Sequence, residues 1–221
     1  MTSSRQPTTT SRKVDTFVLP QWTFELARPV VGLAGRALWK LKLNGLENIP
    51  LNGGLIIAAN HQSYMDPFLI SIPIRRTLRY LAWSVAFEWP LVGKFIRILG
   101  AWPLQIEGSD PSAIRRSLQW LRDGGAVMIF PEGGRGLPDG SMVRFKSGAI
   151  RMALEAEVPI LPVTISGAYR AWPADMRFPR GGEIRITYHP LYHVEQQPGE
   201  EPRACARRES EHLAAIIRAA I

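Results

Sequence analysis

A histidine and an aspartate stand at a spacing that suits proton transfer. His61 and Asp66 lie in the segment Asn60-His-Gln-Ser-Tyr-Met-Asp66, which directly follows an apolar run, and four residues separate them. The two side chains can therefore meet across a tight turn at the start of a helix. The carboxylate can hold one imidazole nitrogen, while the other nitrogen takes a proton from an incoming hydroxyl. The spacing also fits an aspartate that caps a helix beside a structural loop histidine.

A second polar segment, Phe130-Pro-Glu-Gly-Gly-Arg-Gly136, also ends an apolar run. Its glycines let backbone approach a ligand closely and can offer N–H donors. Arg135 can grip a phosphate or a carboxylate through a bidentate fork. Glu132 can accept hydrogen bonds from hydroxyls of a bound molecule or orient the arginine. The alternative is a glycine-rich turn that carries a surface ion pair.

A third segment, Val158-Pro-Ile-Leu-Pro-Val163, combines an apolar strand pattern with two prolines. Proline cannot donate to a strand ladder, so it is rare in the centre of a sheet. We therefore expect either an edge strand or a bulged wall of an apolar pocket.

Strand and helix patterns alternate through the middle of the chain. This alternation predicts a single α/β domain, with a largely parallel mixed sheet flanked by helices. In such sheets, functional residues lie just beyond the carboxyl ends of strands. Strands are predicted at 54–60, 78–84, 100–106, 125–130, 160–166 and 183–188, and helices at 67–73, 91–99, 111–122 (capped by Ser109 or Asp110), 145–157 and 203–221.

The N-terminal region differs from the rest of the chain. Residues 1–16 are predicted to be a disordered tail, residues 17–43 an amphipathic helical segment interrupted by Pro20 and Pro29, and residues 44–221 the main domain. The segment offers Trp22 and Trp39 as aromatic anchors. The pattern favours contact with an anionic membrane surface; the alternative is a helix packed on the domain core. Its charged residues between positions 27 and 43 are all positive: Arg28, Arg36, Lys40 and Lys42.

Composition narrows the classes of function. The 221 residues suffice for one compact domain, and the net charge of +8 suggests an anionic partner. No nucleic-acid-binding signature is present, so we expect lipid and no nucleic acid. The single cysteine rules out an internal disulfide and a cysteine-based zinc site, and we expect no metal. No run approaches the roughly 20 apolar residues of a spanning helix, so a peripheral protein is expected.

Taken together, the three segments resemble the glycerolipid acyltransferase family of PlsC-like enzymes, which contains the bacterial lysophosphatidic acid (1-acyl-sn-glycerol-3-phosphate) acyltransferases. That family carries an Asn-His-x-x-x-x-Asp box, a Phe-Pro-Glu-Gly-x-Arg box and a Val-Pro-x-x-Pro-Val box, and all three occur here in that order. Phe145-Lys-Ser-Gly-Ala149 resembles the segment between the last two. The resemblance extends over about residues 45–167.

The resemblance implies transfer of a fatty acyl group onto a hydroxyl of a lysophospholipid, with 1-acylglycerol-3-phosphate as the expected acceptor. The donor would be acyl-CoA or acyl-carrier protein, a co-substrate rather than a cofactor, and no metal or covalent acyl-enzyme is implied. The enzyme would lie on the cytoplasmic face of the membrane as a peripheral or monotopic protein. Residues 158–163 would help to shape the acyl or donor side.

The same resemblance assigns roles to individual residues. His61 would be the general base, and Asp66 would orient it and stabilise its charge. The polar head of the acceptor would be bound by the remaining site residues: Glu132, Gly133, Arg135 and Lys146.

Two departures from the family concern the acceptor. The glutamate box usually continues Thr-Arg-Ser, whereas Gly134 and Gly136 stand here, so two hydroxyls are missing. A further family box ends in an arginine that helps to hold the acceptor phosphate, and Ile106 aligns with it. Losing such a contact commonly costs about 1.5–3 kcal/mol.

Three hypotheses remain open, the first two because of these departures and the third because of the basic aromatic N-terminal region. A substitute cation can hold the phosphate, the candidates being Arg97, Arg144, Lys146 and Arg151. The same chemistry can act on another lipid acceptor, such as a glycolipid, an aminolipid or a lipid alcohol. The third hypothesis is a non-catalytic protein that binds lipid at anionic membranes.

Overall fold

The computed structural model describes residues 19–105, 110–137, 139–172 and 178–221. The predicted tail at 1–16, Ser109 and Ile106 lie outside the described residues. The strands are β1 Lys42–Asn44, β2 Leu55–Ala59, β3 Leu78–Trp83, β4 Ala101–Leu104, β5 Ala126–Ile129, β6 Ile160–Ser166 and β7 Arg185–Tyr188. The helices are α1 Gln21–Trp39, α2 Asp66–Ser71, α3 Pro90–Ile98, α4 Pro111–Arg122, α5 Gly148–Ala156, α6 Ala168–Ala171 and α7 Pro202–Arg218, with 3-10 turns at Leu46–Asn48 and Ser84–Phe87.

The described strands form a seven-stranded sheet in the order β1-β7-β6-β2-β5-β3-β4. Neighbouring strands are parallel except for β6 and β7, which are antiparallel. The predicted α/β class with a largely parallel mixed sheet is therefore confirmed. The central strands β2 and β5 are buried along their whole length, as expected for parallel strands covered on both faces.

Side chains of β2 alternate between two apolar cores, one on each face of the sheet. Leu55, Ile57 and Ala59 join the core beneath α1, α2 and α6. Ile56 and Ala58 join the core beneath α4, α5 and α7. Helices thus cover both faces of the sheet, and the ends of the strands are the parts of the sheet that these layers leave uncovered.

The neighbouring strands β2 and β5 bring the two polar segments together. They run parallel with Ala58 beside Ile129, so both chains leave the sheet at the same edge. Residues 60–66 follow β2 and residues 130–136 follow β5. The two polar segments thus meet at the carboxyl ends of neighbouring parallel strands, where the sequence placed them.

The proline-containing strand β6 is interior, because it lies between β7 and β2, so the edge-strand alternative is wrong. The other alternative, a bulge, agrees with the register. Val163 pairs with Tyr188, whereas Ile160 pairs with Tyr192, which leaves one extra residue on the partner chain. Pro162 lies at this bulge and accepts a hydrogen bond from His189 N at 3.0 Å, so its missing N–H is tolerated.

The N-terminal segment differs from its prediction in three ways. Helix α1 continues through Pro29 instead of being interrupted there, and Pro20 precedes its first residue. The helix ends at Trp39, because Lys40 adopts a left-handed conformation with φ 44° and donates its N–H to the last carbonyls. Residues 42–44 then form a strand parallel to β7, so the end of the predicted helical segment belongs to the sheet.

Trp39 is also misassigned as an interfacial anchor. It is 4% exposed and donates its indole N–H to the carbonyl of Arg180 at 3.0 Å. The helix-on-core alternative therefore holds for this end of α1, whereas Trp22 at the other end is 62% exposed.

Candidate active site

The carboxylate of Asp66 is fully buried and holds the imidazole of His61. Its Oδ2 atom lies 2.8 Å from His61 Nδ1 and also accepts the backbone N–H groups of Gln62 at 2.5 Å and Ser63 at 2.8 Å. Its Oδ1 atom is buried without a hydrogen-bond partner in the described part of the chain. Helix α2 begins at Asp66, but this side chain bonds backwards along the chain, so the capping alternative is wrong.

The segment after β5 fixes the ring and the backbone of His61. The imidazole stacks on the ring of Phe130 with centroids 4.1 Å apart and an interplanar angle of 21°. Gly136 N donates to the carbonyl of His61 at 2.7 Å. With Nδ1 engaged by Asp66 and 17% of the side chain still exposed, Nε2 is the nitrogen left to meet a substrate.

Glu132 joins three segments through its two carboxylate oxygens. Oε1 accepts the backbone N–H of His61 and Oε2 accepts that of Val143, each at 2.8 Å. Burial raises the pKa of this carboxyl, although the two N–H donors favour its charged form. These contacts are internal, so binding of substrate by Glu132 stays a prediction.

Gly133 and Lys146 form one side of the site. Gly133 has φ of 72° and donates its N–H to the carbonyl of Phe130 at 3.0 Å, which closes a turn. A Cβ atom added to Gly133 would lie 2.9 Å from both Cε and Nζ of Lys146. The glycine therefore lets the lysine ammonium approach the turn that follows β5.

Arg135 lies over the ring of Tyr64, with Cζ 4.2 Å from the ring centroid. Its Nη1 atom is buried and has no hydrogen-bond partner among the described residues. An unpaired buried donor costs about 1–3 kcal/mol, more when charged. An anionic group of a ligand would remove this cost, since guanidinium groups bind phosphate and carboxylate through paired hydrogen bonds.

The four candidate substitutes for the missing arginine lie in different places. Arg97 lies over the ring of Phe87, 5.2 Å from its centroid. Arg144 pairs with Glu211 at 3.4 Å. Arg151 is exposed on α5. Of the four, Lys146 is the one that lies against the glycine turn of the site.

Sequence reasoning missed the positioning roles of two amide side chains. Asn60 makes two 2.8 Å hydrogen bonds with the backbone of Ile165 on β6. Gln62 accepts the N–H of Ala168 at 3.1 Å and donates to the carbonyl of Gly140 at 3.3 Å. Polar residues directly after a buried strand are the signal that could have identified them, because buried polar groups must find partners.

The two glycines that replace the family's hydroxyl residues have different surroundings. A Cβ atom on Gly134 would meet no atom within 4 Å. A Cβ atom on Gly136 would lie 2.7 Å from the carbonyl oxygen of Ser141. A side chain can therefore be restored at position 134 without a clash, whereas position 136 has no room for one.

A histidine–aspartate pair at one strand end is thus joined to a glutamate at the next, and an arginine follows that glutamate by three residues. Residues 40–166 match the Acyltransferase family, and the chain belongs to it. The family predicted from the three boxes is therefore confirmed. Within the described residues, no group of His, Cys, Asp or Glu side chains could hold a metal ion.

Individual relatives carry more specific names. The chain is 32% identical over 202 residues to the 1-acyl-sn-glycerol-3-phosphate acyltransferase of Pseudomonas aeruginosa, covering 86% of this chain and 71% of that one. It is also 28% identical to the chloroplastic 1-acyl-sn-glycerol-3-phosphate acyltransferase BAT2 of Brassica napus. The matched part covers 70% of this chain and 46% of that relative, so this chain spans less than half of the plant protein's length.

The fold is also found among solved crystal structures. The chain superposes on PlsC, the 1-acyl-sn-glycerophosphate acyltransferase of Thermotoga maritima, with a TM-score of 0.71 and 24% identity, covering 91% of this chain and 79% of that one. At this identity the likeness concerns the fold alone.

Proposed function

We propose that this protein transfers a fatty acyl group from a thioester, carried by CoA or acyl-carrier protein, to the free hydroxyl of 1-acylglycerol-3-phosphate. The observation that carries the proposal is the bond between His61 Nδ1 and Asp66, together with a buried Nη1 of Arg135 that has no hydrogen-bond partner among the described residues. The pair of His61 and Asp66 supplies a positioned base, and Arg135 supplies a binding site for an anion. The names of the relatives support the acceptor.

In this proposal His61 Nε2 takes the proton of the acceptor hydroxyl as its oxygen attacks the thioester carbonyl carbon. A C–O bond forms, the tetrahedral intermediate collapses and the C–S bond breaks. The imidazolium then returns the proton to the departing thiolate. Asp66 stabilises the imidazolium and fixes its tautomer, as in other histidine–carboxylate pairs. Base catalysis of this kind contributes about 10²–10⁴-fold.

Recognition of the acceptor phosphate falls to Arg135 and Lys146. Stacking on Tyr64 holds the guanidinium of Arg135 while its Nη1 still lacks a protein partner in the described chain. Lys146 adds a second cation beside the turn at Gly133. Two cations on one side of the base suit a dianionic phosphate next to the reacting hydroxyl.

The proposed lipid substrates agree with an exposed apolar surface on α1 and α3. Trp22, Leu26, Val30 and Leu33 form a stripe on α1 and are 62–69% exposed. The N–H of Leu19, just before α1, bonds the carbonyl of Ile98 at the end of α3 at 3.0 Å, so the two helices are neighbours at this point. Leu91 and Phe95 on α3 are exposed as well. No described helix combines the length and the apolar character needed to cross a bilayer.

We propose that this stripe rests on the membrane. Replacing Leu26 and Leu33 by Glu should reduce co-sedimentation with anionic phospholipid vesicles several-fold and leave the circular dichroism spectrum unchanged. Equal co-sedimentation of the variant and the wild type would contradict membrane contact through α1.

An apolar cavity of about 490 Å³ lies between α1, α2 and α3. It lies on the face of α1 opposite the exposed stripe, and its wall includes Phe68, two residues after Asp66. Phe95, which is 54% exposed, also lines it. Its apolar side chains suit a hydrocarbon chain. Its lining includes Phe24, Val31, Phe68, Ile72, Phe95 and Leu99.

A donor-by-acceptor matrix with the purified protein tests the proposed activity. Acyl-CoA and acyl-carrier protein are each offered with lysophosphatidic acid, a lysoglycolipid and a long-chain alcohol. His61→Ala should lower turnover by about 10²–10⁴-fold. His193→Ala, which removes an exposed loop histidine, should leave turnover unchanged. Full turnover in the folded His61→Ala protein would overturn the role of this residue.

The matrix also separates the alternatives. Ile106 stands where the family has a phosphate-binding arginine, which favours an acceptor without glycerol phosphate. Efficient acylation of lysophosphatidic acid and poor acylation of the other acceptors would reject that alternative. Turnover with any thioester donor would reject a non-catalytic lipid-binding protein.

A further inference from the structure

A second cavity, of about 510 Å³, lies between residues 144–147 and α7. We call it the arginine cleft. Its volume falls within the range of about 300–1,000 Å³ that is usual for small-molecule sites. Its charged lining consists of Arg144, Arg203, Arg207, Arg218 and Glu211.

The cleft carries far more positive than negative charge. Arg203 and Arg207 are one helical turn apart on α7, and Arg218 lies on the same face further along. Glu211 pairs with Arg144 at 3.4 Å, so one carboxylate faces four guanidinium groups. Arg203, Arg207 and Arg218 are exposed. Such a concave, positive surface attracts an anion with several charges.

The cleft shares a wall with the active site. Within one short segment, Val143 N bonds Glu132 and Lys146 lies against Gly133, so these residues face the site. Arg144 and Ser147 of the same segment line the cleft. Residues 143–147 therefore lie between the cleft and the turn that holds Glu132 and Gly133.

We infer that the arginine cleft binds the phosphorylated nucleotide end of an acyl-CoA donor, which rests on the acyl transfer proposed above. That end carries a 3′-phosphate and a 5′-diphosphate, the groups that arginine forks hold best. The long pantetheine arm then carries the thioester past the shared wall to His61.

An acidic surface of acyl-carrier protein is the other source of negative charge. The cleft suits it less, because the cavity is concave and small, and because Glu211 stands among the arginines of α7. An acidic helix of acyl-carrier protein lying along α7 would bring its carboxylates against Glu211. The separate phosphates of CoA can instead be bound by arginines on either side of Glu211.

Direct binding tests the inference without any turnover. Adenosine 3′,5′-bisphosphate is titrated by calorimetry into the full chain and into the double variant Arg203→Glu/Arg207→Glu. The dissociation constant should rise at least tenfold in the variant. Arg115→Glu, at an exposed arginine on α4 outside the cleft, is the matched control and should bind as the wild type does. Absence of binding to the wild type, or equal binding to the double variant, would overturn the inference.

Kinetics separate this inference from the proposed function. In the double variant, KM for acyl-CoA should rise at least tenfold, while KM for the acceptor and kcat stay near their wild-type values. Arg218→Gln is a milder variant that should raise KM for acyl-CoA in the same direction. A rise confined to acyl-carrier protein would assign the cleft to that carrier and refute the CoA site. Nucleotide binding in a protein that transfers no acyl group would refute the proposed function and leave the nucleotide site standing.

Discussion

The candidate active site has two halves, one around His61 and one around Arg135. They differ in how many of their polar groups have protein partners. Around His61, the ring, the backbone N–H and the backbone carbonyl are each held by a protein group. Around Arg135, a buried donor has no described partner, and Gly134 borders open space. In the proposed reaction, the base is therefore held in place before substrate binds, whereas the group that recognises the acceptor gains its partner from the ligand.

This difference follows from the two tasks. Proton transfer depends on geometry, because a misplacement of about 1 Å can cost a hundredfold in rate. Recognition of an anion depends on leaving a charged donor unpaired until the ligand arrives. Variants in the two halves should therefore fail differently, the first in kcat and stability and the second in KM.

Among changes that leave His61 in place, the largest effect is expected at Glu132, which joins the segments of His61 and Val143. In Glu132→Gln, the amide NH₂ group meets a backbone N–H of His61 or Val143, so one hydrogen bond becomes a repulsion. We expect kcat to fall by up to about a hundredfold and the free energy of unfolding by about 1–3 kcal/mol. Urea denaturation and steady-state kinetics measure both quantities.

Glu88→Gln is the control for this change, because Glu88 is exposed. If Glu132→Gln altered KM for the acceptor alone, Glu132 would be a substrate ligand, as the family resemblance implies, and not a tie between segments.

A smaller effect, of a different kind, is expected for Arg135→Ala. KM for lysophosphatidic acid should rise about tenfold or more, since a charge-assisted contact of about 1.5–3 kcal/mol is lost. The free energy of unfolding should stay within about 1 kcal/mol of the wild-type value, because loss of the cation–π contact with Tyr64 is offset by removal of a buried donor that has no described partner. A change in kcat without a change in KM would erase the distinction between the halves.

The smallest effect should come from Gly134→Thr, which restores one of the missing hydroxyls in open space. Stability and kcat should be unchanged within error, and KM for a phosphate acceptor should stay level or fall. Its counterpart, Gly136→Ser, pushes against the carbonyl of Ser141 and should destabilise the fold measurably. Equal stability of the two variants, measured by thermal unfolding, would show that the segment after Arg135 adapts to either side chain.

Long patterns in the sequence predicted the fold well, and short ones did not. Strand β6 was predicted with its observed bounds because six apolar or β-branched residues follow one another from Ile160 to Ile165. Strand β1 was missed because it has three residues and gains its stability from pairing with β7, more than 140 positions away. Proline rules alone placed a break at Pro29, where tertiary packing lets the helix continue.

The candidate site was predicted as a set of residues more successfully than as a set of contacts. The spacing of His61 and Asp66 suffices for their hydrogen bond, since both lie in one turn. The position of Glu132 beside two backbone N–H groups depends on which strands are neighbours, and the sequence does not state that order. Likewise, Trp39 looks like an anchor in the sequence, but its burial is decided by the sheet.

The bond between Glu132 and His61 has a consequence for how the chain matures. It joins residues 71 positions apart, so it can form only after β5 has been inserted beside β2. During synthesis His61 leaves the ribosome well before Glu132. A nascent chain that ends before β5 therefore lacks the hydrogen bond that fixes the backbone of His61, even where the local bond between His61 and Asp66 has formed.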